Sequence, residues 1–351
     1  MFGTSAIGAR FYFLVAVGFF AMFSLSAQKI TEADAKMFFF TLLASFLIAL
    51  IRGLVSAPTD PDSVVFDGDL PERSTRYTFV VCSSIYTLLF SRWSISDVLR
   101  SFGKFIVMFI LAALSIYSGK RRSFAALALV PLIRSLLTRR ERMITFVIGV
   151  FACVMLLFSA VGDGTIYRLP KSAKRALAVV IPKYRNASGD GGTKDLFREE
   201  LRKQARHVIA ANPLLGRKGF AMDLSETSWI LYGGGRTSLF AGHAYAGNWH
   251  STWYAFAADF GLPCMFLWAL FVIHLLRFCL RVGRTVDTSS WLGACCMFYV
   301  FLILIEIIFS YTTGHSARTS AGMWTAYGLL VAMFRSYNET RRLYFPVQPC
   351  M

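Results

Sequence analysis

Charged residues are scarce in this chain: they make up 16% of its 351 residues, against about a quarter in an average soluble domain. The seven cysteines lie in apolar segments or at the C-terminal end, and none of them form a CxxC pair. Hydrophobic residues, in contrast, make up 56% of the chain. This composition excludes intrinsic disorder, a disulfide scaffold and a cysteine metal site, and it favours a polytopic membrane protein over a soluble enzyme.

Acidic residues are also few, with 20 Asp and Glu against 37 Lys and Arg, which gives a net charge of +17. In a soluble protein such an excess would indicate a nucleic-acid partner. In a membrane protein it reflects cytoplasmic flanks rich in Lys and Arg, together with an anionic ligand. We therefore expect membrane lipids and an anionic substrate as partners, and no nucleic acid.

Nine apolar stretches approach the length of about 20 residues that a helix needs to cross a bilayer. Irregular backbone cannot face lipid, and no stretch alternates as a barrel strand does, so we predict an all-α fold with about nine transmembrane helices. Arg134, inside the fifth stretch, is expected to extend toward the nearer membrane interface. The stretches cover residues 11–27, 37–56, 77–91, 102–118, 123–138, 143–161, 251–276, 291–311 and 320–334.

Arginine clusters in the short connections orient these spans, because basic residues concentrate on the cytoplasmic side. We assign that side to three clusters: Arg139, Arg140 and Arg142; Arg277, Arg281 and Arg284; Arg335, Arg341 and Arg342. The chain then divides into about six spans at 1–160, a large extracytoplasmic loop at 161–250, and about three spans with a cytoplasmic tail at 251–351. The first span is either retained or cleaved as a signal peptide.

The predicted extracytoplasmic loop carries fourteen basic and seven acidic residues. Residues 195–211 are predicted to form an amphipathic helix that ends at Asn212 and Pro213. Its buried side would contain Leu196, Phe197, Leu201, Val208 and Ile209. The basic excess either attracts anionic headgroups or binds a lipid-linked phosphate or diphosphate, for which arginine is well suited.

Three segments occur in an order that resembles a known family. Residues 250–254 (HSTWY) and 259–263 (DFGLP) resemble the His-Asn-x-x-Leu … Glu-x-Gly-x-Pro-Gly signature of the O-antigen ligase and O-antigen polymerase superfamily. Residues 212–216 (NPLLG) resemble its Pro-Leu-x-Gly segment, and residues 118–127 (SGKRRSFAAL) resemble the start of one of its earlier helices. In that family the signature closes the large periplasmic loop and opens the next transmembrane helix.

The resemblance implies a GT-C-like, metal-independent glycosyltransferase without a cofactor, in a bacterial inner membrane. It would move a glycan from an undecaprenyl diphosphate carrier to an acceptor hydroxyl, such as a lipid A–core sugar, at the periplasmic face. A polymerase that joins lipid-linked repeat units shares the same motifs. A non-catalytic transporter of the lipid-linked glycan is the alternative from another class.

The resemblance also implies roles for individual residues. His250 would be the general base that takes the proton of the acceptor hydroxyl. Arg122 lies outside against the charge rule and would bind the donor diphosphate, with Lys194, the best match to a family arginine, and Arg217 as further cations. The remaining two candidates, Asp259 and His243, would orient the site.

Overall fold

The computed structural model describes residues 6–55, 79–118, 121–138, 149, 191–216, 251–310 and 316–344. Within these residues every regular element is an α-helix. Eleven helices are described: α1 (Ala6–Ser26), α2 (Glu32–Val55), α3 (Val80–Arg92), α4 (Ile95–Arg100), α5 (Phe102–Tyr117), α6 (Arg121–Leu137), α7 (Gly191–Ala211), α8 (Thr252–Phe260), α9 (Leu262–Thr285), α10 (Trp291–Phe309) and α11 (Ser316–Tyr344).

Three of the described helices, α2, α9 and α10, are long and apolar enough to cross a membrane. The described parts of α1, α3 and α5 are shorter but also apolar. The prediction of an all-α membrane protein is therefore confirmed at this level. The number of nine spans stays a prediction. Of the stretch at 143–161, the structure describes only Gly149.

The sequence led us to expect a single helix at 251–276, but the structure has two helices there. Gly261 interrupts it with a φ of +90°, so that α8 ends at Phe260 and α9 begins at Leu262. Such a φ is favourable only for glycine. Hydropathy alone does not reveal this interruption, because both sides of it are equally apolar.

The described chain divides into two compact units. The first contains α1, α7, α8, α9 as far as Arg281, α10 from Leu302 and α11 as far as Ala332. The second contains α2 to α6 and the remaining parts of α9, α10 and α11. In the second unit, α3 packs against α2, α5 and α6.

In the first unit α1 packs closely against α11 at two glycines. A Cβ atom on Gly18 would lie 2.6 Å from the Cα of Ala321, and one on Gly328 would lie 2.6 Å from the carbonyl oxygen of Met22. Small residues allow two helix backbones to approach in this way, which is how many transmembrane helices associate. The ring of Trp324 contacts α1 beside this crossing.

The second unit is held together around the loop between α9 and α10, residues 286–290. The Glu32 carboxylate, at the start of α2, accepts hydrogen bonds from the backbone N–H groups of Trp291 (2.6 Å) and Leu292 (2.8 Å). These are donors at the N-terminus of α10 that have no partner within their own helix. The negative charge of Glu32 also complements the positive end of the α10 dipole.

Two arginines hold the same loop. Arg92, the last residue of α3, directs its Nη1 atom at three successive backbone carbonyls of the loop, and its guanidinium carbon lies 4.6 Å from the centroid of the Trp291 ring. Arg134, in α6, donates from Nη1 to the Phe90 carbonyl and from Nη2 to the Thr288 hydroxyl at 3.0 Å.

The position of Arg134 corrects the expectation that its side chain extends toward the membrane interface. The residue is only 2% exposed and joins the end of α3 to the loop. Guanidinium has five N–H donors in a fixed plane, so a single buried arginine satisfies acceptors on two elements at once.

We expect Glu32→Ala to lower the free energy of unfolding by about 1–3 kcal/mol, because it leaves two donors of α10 without their acceptor. Thermal unfolding of the purified protein in detergent measures this. Glu339→Ala is the matched control, since Glu339 forms an exposed pair with Arg335 at 3.8 Å and such pairs contribute about 0–1 kcal/mol. Equal effects of the two substitutions would contradict the role given to Glu32.

Candidate functional site

Helix α7 carries one packed side in the first unit. Leu201 and Ala205 are fully buried, and Val208 and Ile209 pack against a small core. That core consists of Ala205, Ala255 and Ala258, with Tyr254 beside it. The predicted buried side of this helix is confirmed for Leu201, Val208 and Ile209, whereas the side chains of Leu196 and Phe197 lie outside the description.

The turn after α7 docks on the break between α8 and α9. The N–H of Leu262 donates to the carbonyl of Pro213 at 2.8 Å. Gly216 has a φ of +62°, and a Cβ on it would lie 2.8 Å from the Gly261 amide nitrogen. A Cβ on Gly261 would overlap the backbone of Leu214. The segments 212–216 and 259–263 therefore contact each other backbone to backbone, and each contributes a glycine with positive φ.

The start of α8 is attached to the end of α10. The Thr252 N–H donates to the carbonyl of Ser310 at 2.8 Å, and the indole nitrogen of Trp253 donates to the Ser310 hydroxyl at 3.0 Å. Ser251, just before α8, is fully buried, and its hydroxyl has no hydrogen-bond partner among the described residues. Ser251 directly follows His250 in the sequence, so this end of α8 adjoins the predicted general base.

Asp259 lies at the opposite end of α8 and is fully buried. It is the penultimate residue of the helix, and its side chain has an interaction partner in the structure. A Cβ on Gly216 would lie 2.8 Å from the carbonyl carbon of Asp259, which places the residue directly at the contact between the two segments. A fully buried carboxylate at this contact is suited to an orienting role.

The structure describes the other predicted site residues unequally. Arg122 is exposed in the first turn of α6, in the second unit. Lys194 lies in the first turns of α7, but its side chain is outside the description. His250, His243 and Arg217 lie outside the described residues, so their predicted roles stay predictions.

Sequence reasoning missed two residues, Ser251 and Arg202. Arg202 is half-buried on α7 and has interactions there. It precedes Ala205 by three residues and Ile209 by seven. This helical spacing would have predicted that the Arg202 side chain lies along the packed side of α7. Among the described residues, no group of three or more His, Cys, Asp or Glu side chains is placed to bind a metal ion.

Comparison with known protein families, with curated proteins and with solved structures gives no match for this chain. Any functional proposal therefore depends on the residues and contacts of the chain itself.

We expect Gly261→Ala to destabilise the protein by about 1–3 kcal/mol, because alanine is strained at positive φ and its Cβ would overlap Leu214. Thermal unfolding is again the measurement. Gly103→Ala on α5 is the control, since no atom lies within 4 Å of its added Cβ and alanine favours a helix by up to about 1 kcal/mol. A Gly261→Ala protein as stable as the Gly103→Ala protein would show that the contact does not depend on this glycine.

Proposed function

We propose that this protein is an O-antigen ligase-like glycosyltransferase of a bacterial inner membrane. It transfers a glycan from an undecaprenyl diphosphate carrier to an acceptor hydroxyl, such as a lipid A–core sugar, at the periplasmic face. The observation that carries the proposal is the contact between segments 212–216 and 259–263. Two segments that resemble two motifs of one family, and that are more than forty residues apart, pack on each other through paired glycines.

In the proposed reaction the acceptor oxygen attacks the anomeric carbon of the donor, and the bond from that carbon to the diphosphate breaks. The diphosphate leaves with the bonding electron pair, so negative charge develops there in the transition state. Fixed cations lower the barrier by stabilising this charge, which is the role proposed for Arg122, Lys194 and Arg217. The proton of the acceptor hydroxyl passes to His250.

In the proposal Asp259 and α8 have a supporting part in this reaction. Along the sequence, His250 lies two residues before Thr252, the first residue of α8, and Asp259 lies nine residues after His250, near the end of that helix. The helix is fixed at one end by Ser310 and at the other by the turn at 212–216. In the proposal Asp259 orients the site through α8 without contacting the substrate, and His243 has the same kind of role.

A polymerase that joins lipid-linked repeat units is the alternative within the same chemistry, and it differs only in its acceptor. A transfer assay with purified protein, a labelled lipid-linked glycan and both acceptors distinguishes them. A transporter would release no diphosphate-linked carrier and form no new glycosidic bond with either acceptor.

His250→Ala should lower turnover by ~10²–10⁴-fold while leaving binding of the lipid-linked donor largely unchanged, because only proton transfer is lost. Wild-type turnover should also fall as the pH decreases through the range in which imidazole is protonated, since imidazolium cannot accept a proton. His207→Ala, an exposed histidine on α7, is the control. Wild-type turnover in a folded His250→Ala protein would remove His250 from the proposed mechanism.

Arg122→Lys should reduce transfer markedly, because lysine keeps the charge but cannot bind two phosphate oxygens with one planar group. Arg122→Ala should reduce it further. Arg100→Lys, at an exposed position of α4, is the control and should retain wild-type activity. Donor titrations distinguish weaker diphosphate binding from slower chemistry, and full activity of Arg122→Ala would exclude Arg122 from the site.

A further inference from the structure

A cavity of about 750 Å³ lies in the second unit, beside the loop that Glu32 and the two arginines hold. One wall is formed by Glu32 and by residues of the loop and the start of α10, including Asp287 and Leu292. The other is formed by α11, with Tyr337 and Arg341. Glycan transfer, as proposed above, makes no use of this cavity.

The first wall offers acceptors. Each oxygen of the Glu32 carboxylate accepts one backbone N–H and keeps a further lone pair. Asp287 is exposed, and hydrogen bonds from the Ser289 hydroxyl and amide, together with the nearby charges of Arg92 and Arg341, hold the pKa of Asp287 below its usual range. Both carboxylates are thus available to a ligand that carries N–H donors.

The α11 wall offers donors. The Tyr337 oxygen accepts the Asp287 N–H at 2.8 Å, and its own hydroxyl proton has no acceptor within the described part of the chain. Arg341 is exposed, and its positive charge lies close enough to Asp287 to help lower the pKa of that carboxyl. A purely cationic ligand would leave these donors unused, whereas a purely anionic one would be repelled by Glu32 and Asp287.

The level of the cavity along the predicted membrane spans agrees with a membrane ligand. Glu32 is the first residue of α2 and Trp291 the first of α10, and both helices are long and apolar enough to cross a membrane. With α2 and α10 as membrane spans, the cavity lies at the level where these helices would enter the bilayer, which is the level of lipid headgroups. Val286 and Leu292 supply apolar surface in its lining.

We propose that this cavity binds a zwitterionic phosphoethanolamine group, with its ammonium at Glu32 and Asp287 and its phosphate at Arg341 and the Tyr337 hydroxyl. The ligand is either the headgroup of a phospholipid or soluble phosphoethanolamine. This inference is independent of the proposed glycan transfer.

The test is native mass spectrometry of the full-length protein in detergent, titrated with phosphatidylethanolamine or with phosphatidylglycerol of the same acyl chains. We expect phosphatidylethanolamine to bind at least about ten-fold more tightly, because only it has the ammonium for charge-assisted hydrogen bonds. Equal affinities, or a preference for phosphatidylglycerol, would overturn the proposal whatever the variants show.

Two variants test which residues bind the ammonium and which bind the phosphate. Asp287→Asn keeps an acceptor for the Ser289 N–H but should abolish the preference for phosphatidylethanolamine. Arg341→Gln should lower the affinity for both lipids by roughly ten-fold. Glu339→Gln and Arg335→Gln, the exposed pair on α11, are matched controls expected to bind as wild type. Wild-type lipid binding by Asp287→Asn and Arg341→Gln would also overturn the assignment.

Competition with soluble phosphoethanolamine distinguishes the two sources. Displacement of phosphatidylethanolamine by the soluble compound at similar concentration would show that the headgroup alone is the ligand. Retention of the lipid under these conditions would identify the phospholipid.

Discussion

A helix that begins at a membrane surface exposes N–H groups that lack partners within the helix, and the second unit is organised around satisfying them for α10. Glu32 accepts two of these hydrogen bonds from the start of another helix, α2. Arg92 and Arg134 then bind the carbonyls and the hydroxyl of the preceding loop. Three helices, α2, α3 and α6, thereby meet at the start of α10 and the five-residue loop before it, through charges that match the local backbone polarity.

These hydrogen bonds to backbone groups also explain why charged side chains are tolerated in this apolar unit. Glu32 and Arg92, which are half-buried, and Arg134, which is buried, each hydrogen-bond backbone groups at the ends of helices or in the loop, which offsets the cost of taking their charges out of water. A hydrophobic replacement of similar volume would fill the space and leave the donors and acceptors of α10 and its loop unpaired.

Helix positions could be predicted from the sequence, because apolar runs and a helical spacing of buried residues are local properties. The loop helix with Leu201, Val208 and Ile209 on its buried side is an example. The break at Gly261 could not be predicted from the sequence. The N–H of Leu262, just after the break, donates to the carbonyl of Pro213, which lies nearly fifty residues earlier. For the candidate site, the sequence identified Asp259 and the two contacting segments, whereas the burial of Ser251 and the inward direction of Arg134 depend on tertiary neighbours.

The close crossing of α1 and α11 has a consequence for biogenesis. The glycines on both helices allow a close approach, yet the two helices are separated by almost the whole described chain. During synthesis α1 is made long before α11 exists, and the hydrogen bond from Ile30 to Ser336 likewise joins an early segment to a late one. The packing of α1 in the first unit and the Ile30–Ser336 contact in the second are therefore completed only when translation reaches α11.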